Sequence, residues 1–453
     1  MTISAGSPKK IDFLYLGNDK AIQVRCENVS KHFEFHFASL DDINTYFDRS
    51  DDFAQTGFII VSAANVEVES EIAGMVQVLR QVANDAFIGV IVGKRLKPES
   101  AVFVKKSGAS IVLGEHEVVE TCVLEFIASQ RIKSSMVPMK TSELVKGTSP
   151  DFTIFHMLPL NRKFLPVFPA NTEITEGKLK KVETVGEVYL NREDVSRYRA
   201  YVEKYQDKSA AGLKSRCRAK FLEFSSAYID LILLMVDQSE FASFEQGKIL
   251  YDRCCQFAAD LLVNLSSVGD AWEVISNSSI GDFGSVERAP AVAAYAGLYS
   301  LLSGLGKAEE AMIAALIADI GLLDLTPKTF LKLKNYEKLS EEDLKDYQKH
   351  PLLSVNKALS RKLPLPDKIK TIIMATHERT DGKGFPNQLH ADKVGIESQL
   401  IHFSEMVDKG SLIEWGKERT SSAEVQKKIF LKEFEAGGCF SLVFLNELKN
   451  IFV

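Results

Sequence analysis

The sequence predicts a multidomain chain: a doubly wound α/β domain, then a small β-rich module, then an all-α helical bundle. Three observations predict it. Residues 11–130 alternate short apolar runs with helical ones. Residues 152–205 carry short extended runs broken by prolines and glycines. From residue 208 onward, apolar residues recur at helical spacing. A length of 453 residues leaves room for several domains.

In the first region, IDFLYLG, GFIIVSAA, AFIGVIVG and ASIVLGE suit strands of a parallel sheet covered on both faces. SLDDINTYFD and EIAGMVQVLRQVA lie between them, with apolar residues at helical spacing. Residues 1–133 are thus expected to form an open, doubly wound domain. Its size and rhythm resemble a response-regulator receiver domain. That resemblance implies an acidic pair after the first strand, where this chain has Gly17-Asn18-Asp19. It implies a phosphoacceptor aspartate ending the third strand, where this chain has Val61-Ser62-Ala63-Ala64. The lysine expected after the last strand falls near Gly114-Glu115-His116. A lone Asp19 is a poor Mg²⁺ site. The expectation is a pseudo-receiver with no phosphoacceptor, acting by contact with protein.

Residues 134–151, rich in polar and turn residues, read as a linker. FTIFHMLPL, FLPVFPANTEI and GEVYLNRED make residues 152–205 a small β-rich module closed by a helix, REDVSRYRAYVEKY. Residues 206–280 read as connecting or dimerising helices. The basic run KSAAGLKSRCRAK is expected to be a solvated helix face. The helix from Phe221 to Gln238 is apolar on much of its circumference and needs cover. Glu223 and Asp230 interrupt it, so it is not a membrane span.

Composition narrows the function classes. A net charge of −6 gives no support for a partner that is a nucleic-acid polymer. The cysteines (Cys26, Cys122, Cys217, Cys254, Cys255, Cys439) form no CxxC pair, which points to reduced thiols in a cytoplasmic protein. MTISAGSPKKIDFLYLG has too short an apolar run for a secretory signal.

Four segments of the last third carry the chemistry: ERAPAVAAYAGLYSLLSGLG, AMIAALIADIGLLDL, LSEEDLKDYQKHPLLS, and the stretch from THERTDGKGFPNQL to QLIHFSEMVDKG. In this order they resemble the HD-GYP domain of bacterial cyclic-di-GMP phosphodiesterases, over residues 281–453. The resemblance implies a helical bundle holding two or three ions, often iron or manganese, that cleave cyclic-di-GMP. Two-ion hydrolysis uses one ion to polarise a phosphoryl oxygen and another to generate hydroxide.

Carried over position by position, the family's early histidine falls on Arg288, and the histidine of its HD pair on Ala318. The HD aspartate is Asp319, and the following lysine becomes Leu322. The histidine before proline is His350; the later histidine pair becomes Thr376-His377. The GYP triplet reads Gly384-Phe385-Pro386, and the later metal aspartate falls on Glu405. The positions that grip the dinucleotide phosphates fall around Ser411 to Gly416, with no arginine or lysine.

The resemblance implies one ion on the positions of Arg288, Ala318, Asp319 and Glu405, and another on those of Asp319, His350, Thr376 and His377. The first set has lost both imidazoles. The second keeps Asp319, His350 and His377, with Glu405 as a fourth candidate. A guanidinium stays protonated. Arg288 is therefore expected to pair with Asp319 or Glu405 and stand in for an ion. His350 can alternatively terminate a helix opened by the Ser340-Glu-Glu-Asp capping box. In the loop, Glu378 and Asp381 are expected to satisfy turn backbone, while Arg379 and Lys383 are the cations left to meet a nucleotide. His390 and His402 are expected to be surface or helix-packing residues.

The resulting expectation is a non-catalytic regulatory protein with no metal or one weakly bound Fe or Mn ion. It would act on partner signalling proteins, also as a homodimer. The alternatives are a weak mononuclear cyclic-di-GMP phosphodiesterase and a cyclic-di-GMP receptor that does not cleave its ligand.

Overall fold

The computed structural model describes residues 11–53, 56–66, 68–93, 97–133, 135–158, 163–184, 187–278, 285–335, 337–411 and 421–452. They form two compact units. One comprises residues 1–133, 232–248 and 323–346, the other 134–231, 249–322 and 347–453.

The first unit is built on a parallel sheet of β1 (Phe13–Leu16), β2 (Phe37–Leu40), β3 (Phe58–Ala63), β4 (Phe87–Val92) and β5 (Ile111–Gly114). The strand order is β2-β1-β3-β4-β5, one of the two common doubly wound orders. Strands β1, β4 and β5 are buried along their whole length, as the continuous apolar runs require. The sequence reading did not find β2. It is a four-residue edge strand, FASL, mostly half-buried, with little of the apolar signal of its neighbours. Asp237 ties residues 232–248 into this unit: Lys105 Nζ lies 2.7 Å from its Oδ2 and the Val112 N–H 3.3 Å from its Oδ1.

The corner after β1 is closed. A Cβ on Gly17 (φ +146°) would lie 2.7 Å from Ser62 Cβ. Asp19 caps the helix Lys20–Phe33 through the Ile22 N–H, 3.0 Å. Tyr15 Oη donates to the Asp19 carbonyl at 3.0 Å. β3 ends in Ser62-Ala63, and no carboxylate stands there.

The second unit opens with an antiparallel sheet, β6 (Met136–Lys140), β7 (Ile154–Leu158), β8 (Lys163–Phe168) and β9 (Glu187–Asn191), ordered β6-β9-β7-β8. The stretch expected to be a linker therefore supplies an edge strand. Val137 and Met139 point into the core, and the alternation V-P-M was too short to outweigh the surrounding turn residues. The helix Val195–Tyr205 and part of Ala210–Val236 cover this sheet through Tyr198, Val202, Ala219 and Leu222. In the basic run, Arg218 is not solvated: it is buried and pairs with Glu143 at 3.0 Å.

The rest of this unit is helical. The helix Ala308–Ala318 packs against Ser285–Ser303, His350–Ser360, Asp367–Met374 and Ile396–Gly410. Its alanines bury nearly the whole circumference while letting four neighbours approach. Small residues serve the same purpose opposite, where a Cβ on Gly297 would lie 2.5 Å from Met312 Sδ. No helix of the described residues is long and apolar enough to cross a membrane.

Candidate metal centre

Asp319 is the C-cap of Ala308–Ala318. The apolar helix must end there because residues 320–324 tighten into a 3₁₀ turn. Gly321 makes that turn possible: a Cβ on it would lie 2.3 Å from the His350 carbonyl and 2.5 Å from the Ser354 nitrogen. Ser354 Oγ bridges the two elements, accepting from the Gly321 N–H (2.8 Å) and donating to the Ala318 carbonyl (2.6 Å). The start of the helix His350–Ser360 is thus held directly over Asp319. His350 opens that helix instead of terminating the one before it. The Ser340–Asp343 capping box begins Glu341–Tyr347, a separate short helix.

Three donors converge. Asp319, His350 and His377 are all buried, and each offers a ligand atom within 4.8 Å of the others. His350 Nε2 lies 2.8 Å from His377 Nε2 and 3.5 Å from Asp319 Oδ1. The tautomer of His350 follows from its other nitrogen. Nδ1 lies 2.7 Å from the Tyr347 carbonyl, which can only accept. Nδ1 therefore carries the proton, and in the neutral ring Nε2 presents its lone pair to the cluster. Phe385 stacks on His377 at 4.8 Å, and Tyr347 packs on His350 at 4.7 Å, fixing both rings.

The electrostatics are those of dry donors. Burial pushes His350 down to about 4. Burial, then the neighbouring His350 and His402, push His377 well below the usual imidazole range. Burial, then the charge of Asp408, push Asp319 up. The imidazoles thus stay neutral, as metal ligands must, and a bound cation would compete with the proton on the Asp319 carboxylate. Asp319, His350 and His377 fit one divalent ion.

Two expectations about the neighbouring acids are corrected. Glu405 does not join the cluster as a fourth donor: its Oε2 faces His377 Nδ1, the nitrogen turned away from the donors, at 3.6 Å. Arg288 is not paired with Asp319 or Glu405. Its Nε and a terminal nitrogen each lie 2.5 Å from an oxygen of Asp408, and that terminal nitrogen also reaches the Asp408 carbonyl at 3.2 Å. Asp408 is one turn beyond Glu405 on Ile396–Gly410 and presents a better fork. The i, i+3 spacing of the two acids was the available sequence signal. The Thr376 hydroxyl donates back to the Ile373 carbonyl at 3.0 Å.

The loop is a scaffold. Glu378 is buried and accepts from the N–H groups of Asn387 (2.5 Å) and Leu389 (2.8 Å). Asp381 takes a bidentate pair from Arg379 at 3.0 and 2.7 Å and the Lys383 N–H at 3.1 Å. Arg379 is therefore already engaged, while Lys383 is exposed. A Cβ on Gly384 would lie 2.4 Å from the Arg379 nitrogen, so only glycine lets the loop fold back to place Phe385 on His377. The Phe385–Pro386 peptide is cis. His390 is exposed, and His402 packs on Phe440 at 5.5 Å. Residues 412–416, in the expected phosphate-gripping segment, lie outside the described residues.

The model of the HD domain family matches residues 275–414, a span that holds every residue of this cluster. Residues 275–414 are an HD domain. Among solved structures, Bd1817, a HDG"Y"P protein from Bdellovibrio bacteriovorus, is similar at 18% identity with a TM-score of 0.45, covering 70% of this chain and 99% of that one. No curated protein matches the chain. The HD domain places its acid, Asp319, at the end of one helix and its imidazoles at the start of the helix His350–Ser360 and in the loop after Asp367–Met374, so packing brings the three donors together.

Proposed function

We propose that the chain is a regulatory signalling protein whose HD domain keeps one ion position, on Asp319, His350 and His377, and has surrendered the second. The observation that carries this is the bidentate pair of Arg288 and Asp408. It stands beside the acids that the resemblance to HD-GYP phosphodiesterases assigns to the other ion. A guanidinium is charged at every working pH and repels a dication, and Asp408 holds it in place one turn from Glu405 on the same helix. When bound, a single divalent ion would supply Lewis-acid polarisation of a phosphoryl oxygen. This chain's own residues would do the rest: His350 and His377 present neutral nitrogens, and Phe385 and Tyr347 keep water from the rings. The first unit has the 2-1-3-4-5 strand order of a receiver without its acceptor carboxylate, which suits signalling through protein contact, in a complex with a partner or a second copy.

One observation favours a second reading. The three donors converge as an ion-binding set, which supports a weak mononuclear cyclic-di-GMP phosphodiesterase or a metal-dependent receptor of that nucleotide. Two measurements decide. Elemental analysis of purified protein should give about one equivalent of manganese or iron and not two. Incubation with cyclic-di-GMP and Mn²⁺ or Fe²⁺ should show no turnover. Turnover that His350→Ala abolishes would establish the enzyme instead.

A further inference from the structure

Part of the basic run KSAAGLKSRCRAK lines a cavity of about 240 Å³ in the second unit, together with the end of β6 and the helix Ala271–Ser278. Two side chains of its wall are nearly wholly buried, Arg218 at 5% exposure and Ser278 at 2%. Arg218 directs its terminal nitrogens at Glu143 (3.0 Å) and the Pro138 carbonyl (2.6 Å), but its Nε–H has no acceptor. The Ser278 hydroxyl has no partner either. A buried donor left unmet is destabilising, most of all on a charged group. The acids of the wall are already engaged. Glu143 accepts from the Tyr198 hydroxyl (2.6 Å) and the Lys140 N–H (2.8 Å), Glu273 accepts from Asn277 Nδ2 (3.3 Å), and Asp270 pairs with Lys214. Both unmet groups can donate, and Lys140, exposed in the same wall, adds an ammonium.

Donors of this kind call for an oxyanion. Charge narrows which one. Three acids, Glu143, Asp270 and Glu273, share the wall with three bases, Lys140, Lys214 and Arg218. That balance leaves no surplus of positive charge for a dianionic phosphate, and a carboxylate brings half the charge. We propose that the cavity binds a small carboxylate, whose oxygens accept from Arg218 Nε and Ser278 Oγ while Lys140 supplies counter-charge. The bound molecule would tie β6 to the helix at which the HD domain begins. The site needs no metal, so it stands apart from the reading of Asp319, His350 and His377.

The test titrates the full chain by calorimetry with sodium acetate and, separately, with inorganic phosphate, at constant ionic strength, beside Ser278→Ala and Lys140→Gln. Wild type is expected to bind acetate and not phosphate. Ser278→Ala should weaken acetate binding about tenfold, the effect of one hydrogen bond to a charged group, while its ligand-free form melts at or above the wild-type temperature. Lys140→Gln, at an exposed position, should weaken it by a smaller factor without moving the melting temperature. Phosphate bound more tightly than acetate overturns the choice of carboxylate. Binding of neither overturns the site. An acetate affinity unchanged in Ser278→Ala places acetate elsewhere and overturns the site too. If Ser278→Ala melts below wild type, Lys140→Gln decides: an unchanged affinity there overturns the proposal, and a weakened affinity at an unchanged melting temperature upholds it.

Discussion

The two ends of the acid cluster in the HD domain solve one problem in opposite ways. Asp408, buried, has a permanent cation on the chain: Arg288 holds both of its oxygens. Asp319, equally buried, faces two imidazoles that burial keeps neutral. At the first end burial raises Asp408 and Arg288 opposes that rise. At the second no such cation appears among the influences on Asp319, and the charge of Asp408 adds to the rise. A fixed guanidinium and a bound ion are alternative counter-charges for a buried acid.

That contrast can be broken most forcefully at Arg288. Arg288→Met leaves Asp408 buried without its partner, and the expected loss is about 3–5 kcal/mol in chemical denaturation. If the guanidinium stands in for an ion, Arg288→His combined with Ala318→His should raise bound manganese from one equivalent toward two. A double variant that still binds one equivalent would sink that interpretation. A second prediction strikes the other end. Gly321→Ala puts a methyl group against the His350 carbonyl and the Ser354 nitrogen. Overpacking of this kind costs about 1–3 kcal/mol. By displacing His350 it should also weaken Mn²⁺ binding, which calorimetry reads, whereas Arg288→Met should leave the three donors in place.

The smallest effect is expected in the loop. The Arg379 hydrogen bonds hold Asp381 down at about 2, below its ordinary value of 3.8. A depressed carboxylate contributes stability above its unfolded pKa and loses it as the pH falls through the folded one. Asp381→Asn should therefore cost under about 1 kcal/mol at pH 7, as for other partly exposed pairs. The difference in melting temperature from wild type should shrink steadily as the pH is lowered from 4 toward 2. A difference that holds constant would mean that the pair contributes shape and not charge.

Much of the fold was legible because it rests on local patterns. Continuous apolar runs announced β1, β3, β4 and β5, and helical spacing announced the bundle. The losses lay where pattern is weakest: β2, a half-exposed edge strand, and β6, hidden among turn residues. At the centre, Asp319, His350 and His377 were nameable from motif order. The arginine's partner and the place of Glu405 were not, since one turn of helix and a few ångströms separate one acid from the next. Ser354 carries no motif and emerges only from what it faces.

By itself, the sequence determined which functional groups exist to be used. It put a guanidinium, a methyl and a hydroxyl at the positions to which the HD-GYP resemblance assigns imidazoles, and it put no carboxylate at the end of β3. Those are properties of single side chains, readable without coordinates. Tertiary structure alone decided the pairings: Arg288 to Asp408, Glu405 to the outer nitrogen of His377, and the proton on His350 Nδ1. The reason is physical. Charge and hydrogen-bond capacity belong to a residue, but the distance over which they act is set by how helices pack, and here small residues at Gly297, Gly321 and Gly384 set it.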